Sequence, residues 1–247
     1  MMRDDAGVEG SGGNGEASRV TEQATEAGGA DVGRPPGIRV DWRIPPPRPG
    51  LAGAMDRFFG PGRSRRENLT EAGTHLLVLA LLAAYIVRQA RGEDWSVLEV
   101  VVTAVIAVDL VGGVLTNATN SAKRWYHRPG RRGPRLVFVA AHVVYPLVVT
   151  GLPAAGADPA WLPANVALLL AAAVLVELAP VDVKRLLAVA CYLAAVLVNL
   201  TWLPLHPAYA WFPLFFYLKL LVCFLVPEAP VVRSGTTGAG RKQRPDS

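Results

Sequence analysis

From Leu69 onward, long apolar runs alternate with short polar or proline-rich breaks. The runs are Leu69–Val87, Val97–Leu115, Leu136–Leu152, Leu162–Ala179, Leu186–Leu205 and Tyr209–Val226. Each is close to the roughly 17–25 residues that an α-helix needs to cross the hydrocarbon of a bilayer. The first is the least regular, because its uninterrupted apolar part begins only at Leu76. The breaks hold residues that end helices: Gly92 with Glu93 and Asp94, Pro129 with Gly130, Pro153, Pro180, Pro204 with Pro207, and Pro227. The pattern predicts an all-α, polytopic membrane helical bundle of six transmembrane helices over residues 67–228. Residues 1–66 are expected to form a disordered tail and residues 229–247 a disordered basic tail.

Charge orients these spans. Arg57, Arg63, Arg65 and Arg66 precede the first. Arg88 and Arg91 follow it, matched in number by Glu93 and Asp94. Lys123, Arg124, Arg128, Arg131, Arg132 and Arg135 separate the second and third, and Lys184 and Arg185 separate the fourth and fifth. The other two connections carry no Lys or Arg, and Arg233, Arg241, Lys242 and Arg244 follow the last span. Basic residues collect on the cytoplasmic side, so an even number of spans with both termini in the cytoplasm is expected, in the cell (inner) membrane.

Composition agrees with a chain whose main partner is the lipid bilayer. Of 247 residues, 51% are hydrophobic and only 18% charged, against about 25% charged in soluble domains. The pI near 9.5 comes from arginines flanking apolar runs, and no nucleic-acid recognition motif accompanies it. In the tail, "GVEGSGGNGEAS" lacks the aromatic and branched residues that offset ordering entropy. "RIPPPRPG", Arg43–Gly50, predicts an extended spacer. Phe58 and Phe59 beside arginines predict a stretch lying on the membrane surface. Ser64–Leu69 mimics a twin-arginine export signal, but no small-residue cleavage site follows it. Cys191 and Cys223 lack the spacing of a metal or redox motif.

Candidate chemistry concentrates in "DLVGGVLTNATNSAKRWYHRPGRR", Asp109–Arg132. At 100° per residue, Gly112, Gly113, Thr116 and Asn120 fall near the face of Asp109, with Asn117 at its margin. If the helix continues, Lys123 and His127 extend that stripe. The two glycines are read as places where a neighbouring helix approaches closely. A carboxylate at membrane depth costs about 2.5–3.5 kcal/mol even on insertion scales, so Asp109 needs a partner. Asp109 and His142 both lie about 9 Å inside the same boundary by the helical rise, which makes them the expected catalytic pair. Tyr145 shares the face of His142, and Pro146 is expected to loosen the helix and free a carbonyl. Asn117, Asn120, His127, Tyr145, Arg124, Glu177 and Lys219 are the expected substrate-binding residues. Lys219, near the middle of the sixth span, is placed to pair with either acid, Asp109 or Glu177, and Glu177 and Lys219 also read as structural pairs or snorkelling groups.

Three functions fit. The first is a membrane-embedded enzyme acting on a lipid, isoprenoid or quinone-like substrate by Asp/His acid–base chemistry, with a lipid-like small molecule as ligand. The second is a small proton- or ion-coupled transporter, and the third a non-catalytic membrane subunit. No cofactor is legible, and neither is an oligomeric state. Metal-protease, zinc-cluster, phosphate-loop and nucleophile-elbow motifs are missing. An Asp109→Asn variant is expected to fold, because an amide is cheaper to bury than an anion.

Overall fold

The computed structural model describes residues 38–233. Residues 41–230 form one compact unit. Residues 38–40 and 231–233 belong to a second, in which they pair as a short antiparallel ladder with Ile38 opposite Arg233 and Val40 opposite Val231. The tails expected over 1–37 and 234–247 lie outside the described residues.

The larger unit is helical throughout. Helix α1 spans Gly50–Phe59, α2 Arg65–Gln89, α3 Val97–Asn117, α4 Asn120–Tyr126, α5 Arg132–Ala141, α6 Val144–Thr150, α7 Trp161–Leu178, α8 Val181–Thr201 and α9 Trp211–Tyr217. A π-helical segment, Leu218–Phe224, continues α9 without a break. Among the described residues, five stretches are long and apolar enough to cross a membrane: α2, α3, α5 with α6, α7, and Pro207–Phe224. The remaining expected run, the fifth, also falls on helix, α8, with Asp182, Lys184 and Arg185 near its start.

The boundary expected at residue 66 is too late, since α1 is a formed helix. Pro49 precedes it in extended conformation, and Asp56 is buried by a paired hydrogen bond from Arg48 (Nε and Nη2, 2.9 and 2.8 Å). Helix α2 begins earlier than hydropathy alone places it. Ser64 accepts from the Glu67 amide and Glu67 accepts from the Ser64 amide, a reciprocal cap that satisfies two orphan donors. Ser96 and Glu99 start α3 in the same way, and Glu99 also accepts from the Ala154 amide.

The expected continuous stripe from Asp109 to His127 is interrupted. Helix α3 stops at Asn117, and Thr119 caps a new helix by accepting from the Ala122 amide. The short polar side chains of "TNATN" hydrogen-bond local backbone and so compete with helix propagation. The third run is broken as well. Pro146 has no amide to give the His142 carbonyl, which accepts instead from the Tyr145 amide (3.0 Å). The helix therefore stops at Ala141 and restarts at Val144.

Leu110, Val111, Val139, Val149, Leu169, Val176, Leu220 and Leu221 form the core between α3, α5–α7 and the last helix. Helix α2 is peripheral: Leu82 is its single buried residue, and Leu76, Leu77, Leu81 and Val87 are exposed. Its inner face nonetheless closes one side of a lateral cavity.

Candidate functional site: a charged cluster on a lateral cavity

A cavity of about 680 Å³ lies among α2, α3, α5, α6 and the π-helical segment. Phe58 and Phe59 of α1 line it, and Arg63, Asn68, Glu71 and His75 enter from the start of α2. Asp109, Gly112, Gly113, Thr116 and Asn117 come from α3, and Phe138, His142, Tyr145 and Lys219 complete it.

Asp109 is the hub. Tyr145 donates its hydroxyl to Oδ2 (2.6 Å), and Lys219 donates Nζ to the same oxygen (2.5 Å). The lysine side chain is 4% exposed, whereas that of Asp109 is 40% exposed. The pair therefore joins a buried cation to a carboxylate at the cavity surface. The lysine Nζ also lies 5.4 Å from the centre of the Tyr145 ring.

The expected Asp109–His142 hydrogen bond does not form. His142 directs Nδ1 at the Phe138 carbonyl (2.7 Å). A carbonyl only accepts, so Nδ1 carries the hydrogen, and in the neutral ring Nε2 keeps its lone pair for the cavity. His142 and Tyr145 stack at 5.3 Å with ring planes 13° apart. Tyr145 thus touches both groups and links His142 to Asp109.

Local structure makes the lysine contact possible. A Cβ on Gly113 would lie 2.2 Å from Lys219 Cε, and one on Gly112 would lie 2.9 Å from His75 Cε1. The glycines admit side chains from two neighbouring helices, a more specific role than close helix approach. Lys219 sits in the π-helical segment, a widened turn that recurs at functional sites.

Several expected binding residues lie elsewhere. Glu177, 1% exposed, is ion-paired with Arg135 and lies 3.6 Å from Arg132. It is the buried acid that answers the half-buried Arg135 and does not line the cavity. Arg124 is buried with no hydrogen bond to its Nε and is also absent from the cavity wall. His127 bonds the Phe224 carbonyl (2.9 Å), and Lys123 donates to the carbonyls of Cys223 (2.5 Å) and Val226 (2.8 Å). These two side chains satisfy carbonyls left over where the last helix ends. Burial, then the nearby Arg135, pushes the His127 pKa down to about 3. Asn120 opens α4 outside the cavity wall.

Other groups were not anticipated. Glu71 accepts from Thr116 Oγ1 (2.6 Å) and is ion-paired with Arg63. The Arg63 guanidinium also lies 5.1 Å from the centre of the Phe59 ring. The signal was present in the sequence: Ser64 with Glu67 starts a helix, and Asn68, Glu71, Ala72 and His75 then recur at the 3–4 residue spacing of one helical face. Among the described residues, no three His, Cys, Asp or Glu side chains converge as a metal site requires.

In comparisons with known proteins, no family model, no curated protein and no solved structure matches this chain.

Proposed function

We propose that this chain is an integral membrane protein of six spans with both termini in the cytoplasm, and that it is an enzyme acting on the polar head of a lipid-, isoprenoid- or quinone-like substrate. The alternation of basic connections supports the topology, with α8 as the fifth span. The observation that carries the function is the Asp109–Lys219 pair, joined by Tyr145 to His142 on one cavity walled by apolar helices. Such ionisable groups are costly at membrane depth and mark function when they face a cavity.

The roles follow from the geometry. His142 takes a proton from the substrate head at Nε2, since Nδ1–H is committed to Phe138. Negative charge left on the substrate oxygen is met by the Lys219 ammonium. Asp109 holds that ammonium in place, and the Tyr145 hydroxyl holds Asp109. The substrate tail leaves sideways past Val108 into the groove between α2 and α3, an apolar space of about 590 Å³ that shares Val108 with the cavity.

Ion-coupled transport is the second reading, because a buried acid–base pair also suits a relay. It needs a polar path outward from Asp109. The adjoining groove is lined mostly by apolar side chains, with Arg91, Glu93 and Thr103 its polar members, which favours the enzyme.

The test compares lipid extracts of cells making the wild type with those making His142→Ala, Tyr145→Phe or Ala141→Trp. Ala141 is an exposed lining residue, so tryptophan there fills the cavity at little cost to folding. A lipid species whose abundance changes with the wild type and with none of the variants supports the enzyme. Identical extracts in all four, with no lipid co-purifying in the cavity, overturn it and leave the non-catalytic subunit.

A further inference from the structure

A second concavity sits behind the first. Tyr126 and Phe138 line both. The second is about 310 Å³, and its nine lining residues include four arginines, Arg57, Arg128, Arg131 and Arg135, together with Trp125, and no carboxylate.

Its construction follows from α1. The last carbonyls of a helix lack intrahelical donors. Trp125 Nε1 donates to the Arg57 carbonyl (2.7 Å) and the Tyr126 hydroxyl to the Phe58 carbonyl (2.5 Å). These bonds bring the last turn of α1, and Arg57 with it, to the rim. Arg128 stacks on Trp125, its guanidinium carbon 3.4 Å from the ring centre, and spends one N–H on the Trp125 carbonyl (2.8 Å).

The charge here is uncompensated. Arg135 is answered by Glu177, which also serves Arg132. Arg57, Arg128 and Arg131 have no carboxylate within ion-pair distance among the described residues. Burial, and after it the neighbouring Arg131, holds Arg128 below the ordinary arginine range. Membrane topology asks only for a number of basic residues on one side. It does not ask that they gather, against their mutual repulsion, around one aromatic-walled concavity.

We infer that this concavity is a phosphate-binding site, with Arg57, Arg128 and Arg131 as its ligands and Trp125 as the platform that orients Arg128. Guanidinium forks match phosphate oxygens two at a time, and the volume admits a phosphate with a small attached group. The phosphate is carried by an anionic phospholipid head or arrives free from solution. The site is separate from the Asp109 cavity, and the inference does not depend on the proposed enzyme.

The full chain in detergent, titrated with phosphatidylglycerol or phosphatidylcholine and read by native mass spectrometry, tests this. The wild type is expected to retain one phosphatidylglycerol at least about tenfold more tightly than phosphatidylcholine. Arg128→Gln with Arg131→Gln should abolish the preference. Arg65→Gln with Arg66→Gln, an equal charge change on exposed residues outside the concavity, should keep it. Arg131→Gln alone, at an exposed position, should weaken it without moving the melting temperature. Displacement of the lipid by millimolar inorganic phosphate identifies a site for free phosphate, and resistance to it identifies a lipid head. Two outcomes overturn the inference: binding neither phosphatidylglycerol nor phosphate selectively, or losing the preference equally in both double variants.

Discussion

Tyr217 and Lys219 stand two residues apart on the last helix, and each anchors a different polar network. Tyr217 donates to Asn165 Oδ1 (2.8 Å), Asn199 Nδ2 donates to the same oxygen (2.9 Å), and Trp161 Nε1 donates to Asn199 Oδ1 (3.0 Å). Asn165 is 1% and Asn199 2% exposed, and neither lines the Asp109 cavity or the groove beside it. Lys219 instead reaches a carboxylate that is 40% exposed to a cavity. Both networks sit among apolar helices, so depth alone does not mark a site. The amide network is neutral, buried and internally bonded, as a polar network must be to hold helices together. The charged network keeps an acid half-open to a space large enough for a ligand. Closure marks the first network as structural, and incompleteness beside a cavity is the ground on which the second is proposed as functional.

The sharpest way to break this contrast is to remove one charge. Asp109→Asn leaves the 4% exposed Lys219 ammonium with no counter-charge, at a cost of about 3 kcal/mol, because breaking a buried pair strands the other ion. This reverses the expectation from sequence that the variant folds normally. Lys219→Met strands the more exposed partner and should cost less, about 2 kcal/mol. The double variant Asp109→Leu with Lys219→Met removes both charges and should recover most of the loss. Thermal unfolding in detergent reads all three. If the two single variants add up in the double, the groups are not coupled.

The amide network should behave differently. Asn199→Leu leaves Trp161 Nε1–H without its acceptor and Asn165 Oδ1 with one donor fewer, costing about 2 kcal/mol of stability. Any activity per folded molecule should be unchanged. A fall in activity without a fall in melting temperature would place the amides in the functional machinery and erase the distinction.

Hydropathy and breakers made the helices legible, and helical phase put Asp109, Gly113, Thr116 and Asn117 on one face. The choice between His142 and Lys219 as the partner of Asp109 was not legible. Equal depth favoured His142, but depth leaves rotation about the third span's axis open. Pro146 breaks that helix, and the His142 ring turns to the Phe138 carbonyl. Lys219 reached the site because the last helix widens into π geometry and Gly113 leaves room for the lysine. Neither condition shows in apolar periodicity. His127 and Glu177, expected to bind substrate, lie off the cavity for related reasons. His127 serves a helix end and Glu177 the arginines at the start of α5, and such needs appear only once the helices are packed.

Gly113→Ala sharpens the comparison at smaller cost. The new Cβ meets the flexible end of Lys219 and no backbone, so the lysine is displaced and the protein still folds. A loss of about 1 kcal/mol is expected, the displaced pair being half-exposed. The same change in a Lys219→Ala background should be nearly neutral. An equal loss in both backgrounds would mean that Gly113 serves helix packing alone.

His127 gives the smallest effect and tests whether polar residues at the charged end belong to the site merely by position. Its folded pKa is about 3, against about 6.5 in an unfolded chain. Above pH 6.5 both states hold the neutral ring, and the bond to the Phe224 carbonyl contributes fully. Between pH 6.5 and 3 the unfolded chain takes up a proton that the folded one refuses, so stability falls as pH falls through this window. Discounted for the half-buried position, the wild type should lose about two degrees of melting temperature more than His127→Gln between pH 6.5 and 5.5. Parallel curves for the two proteins would show that His127 is not held neutral as a cap on the last helix. Activity at pH 7 should be equal in both, because at that pH His127 touches neither the cavity nor its charged pair.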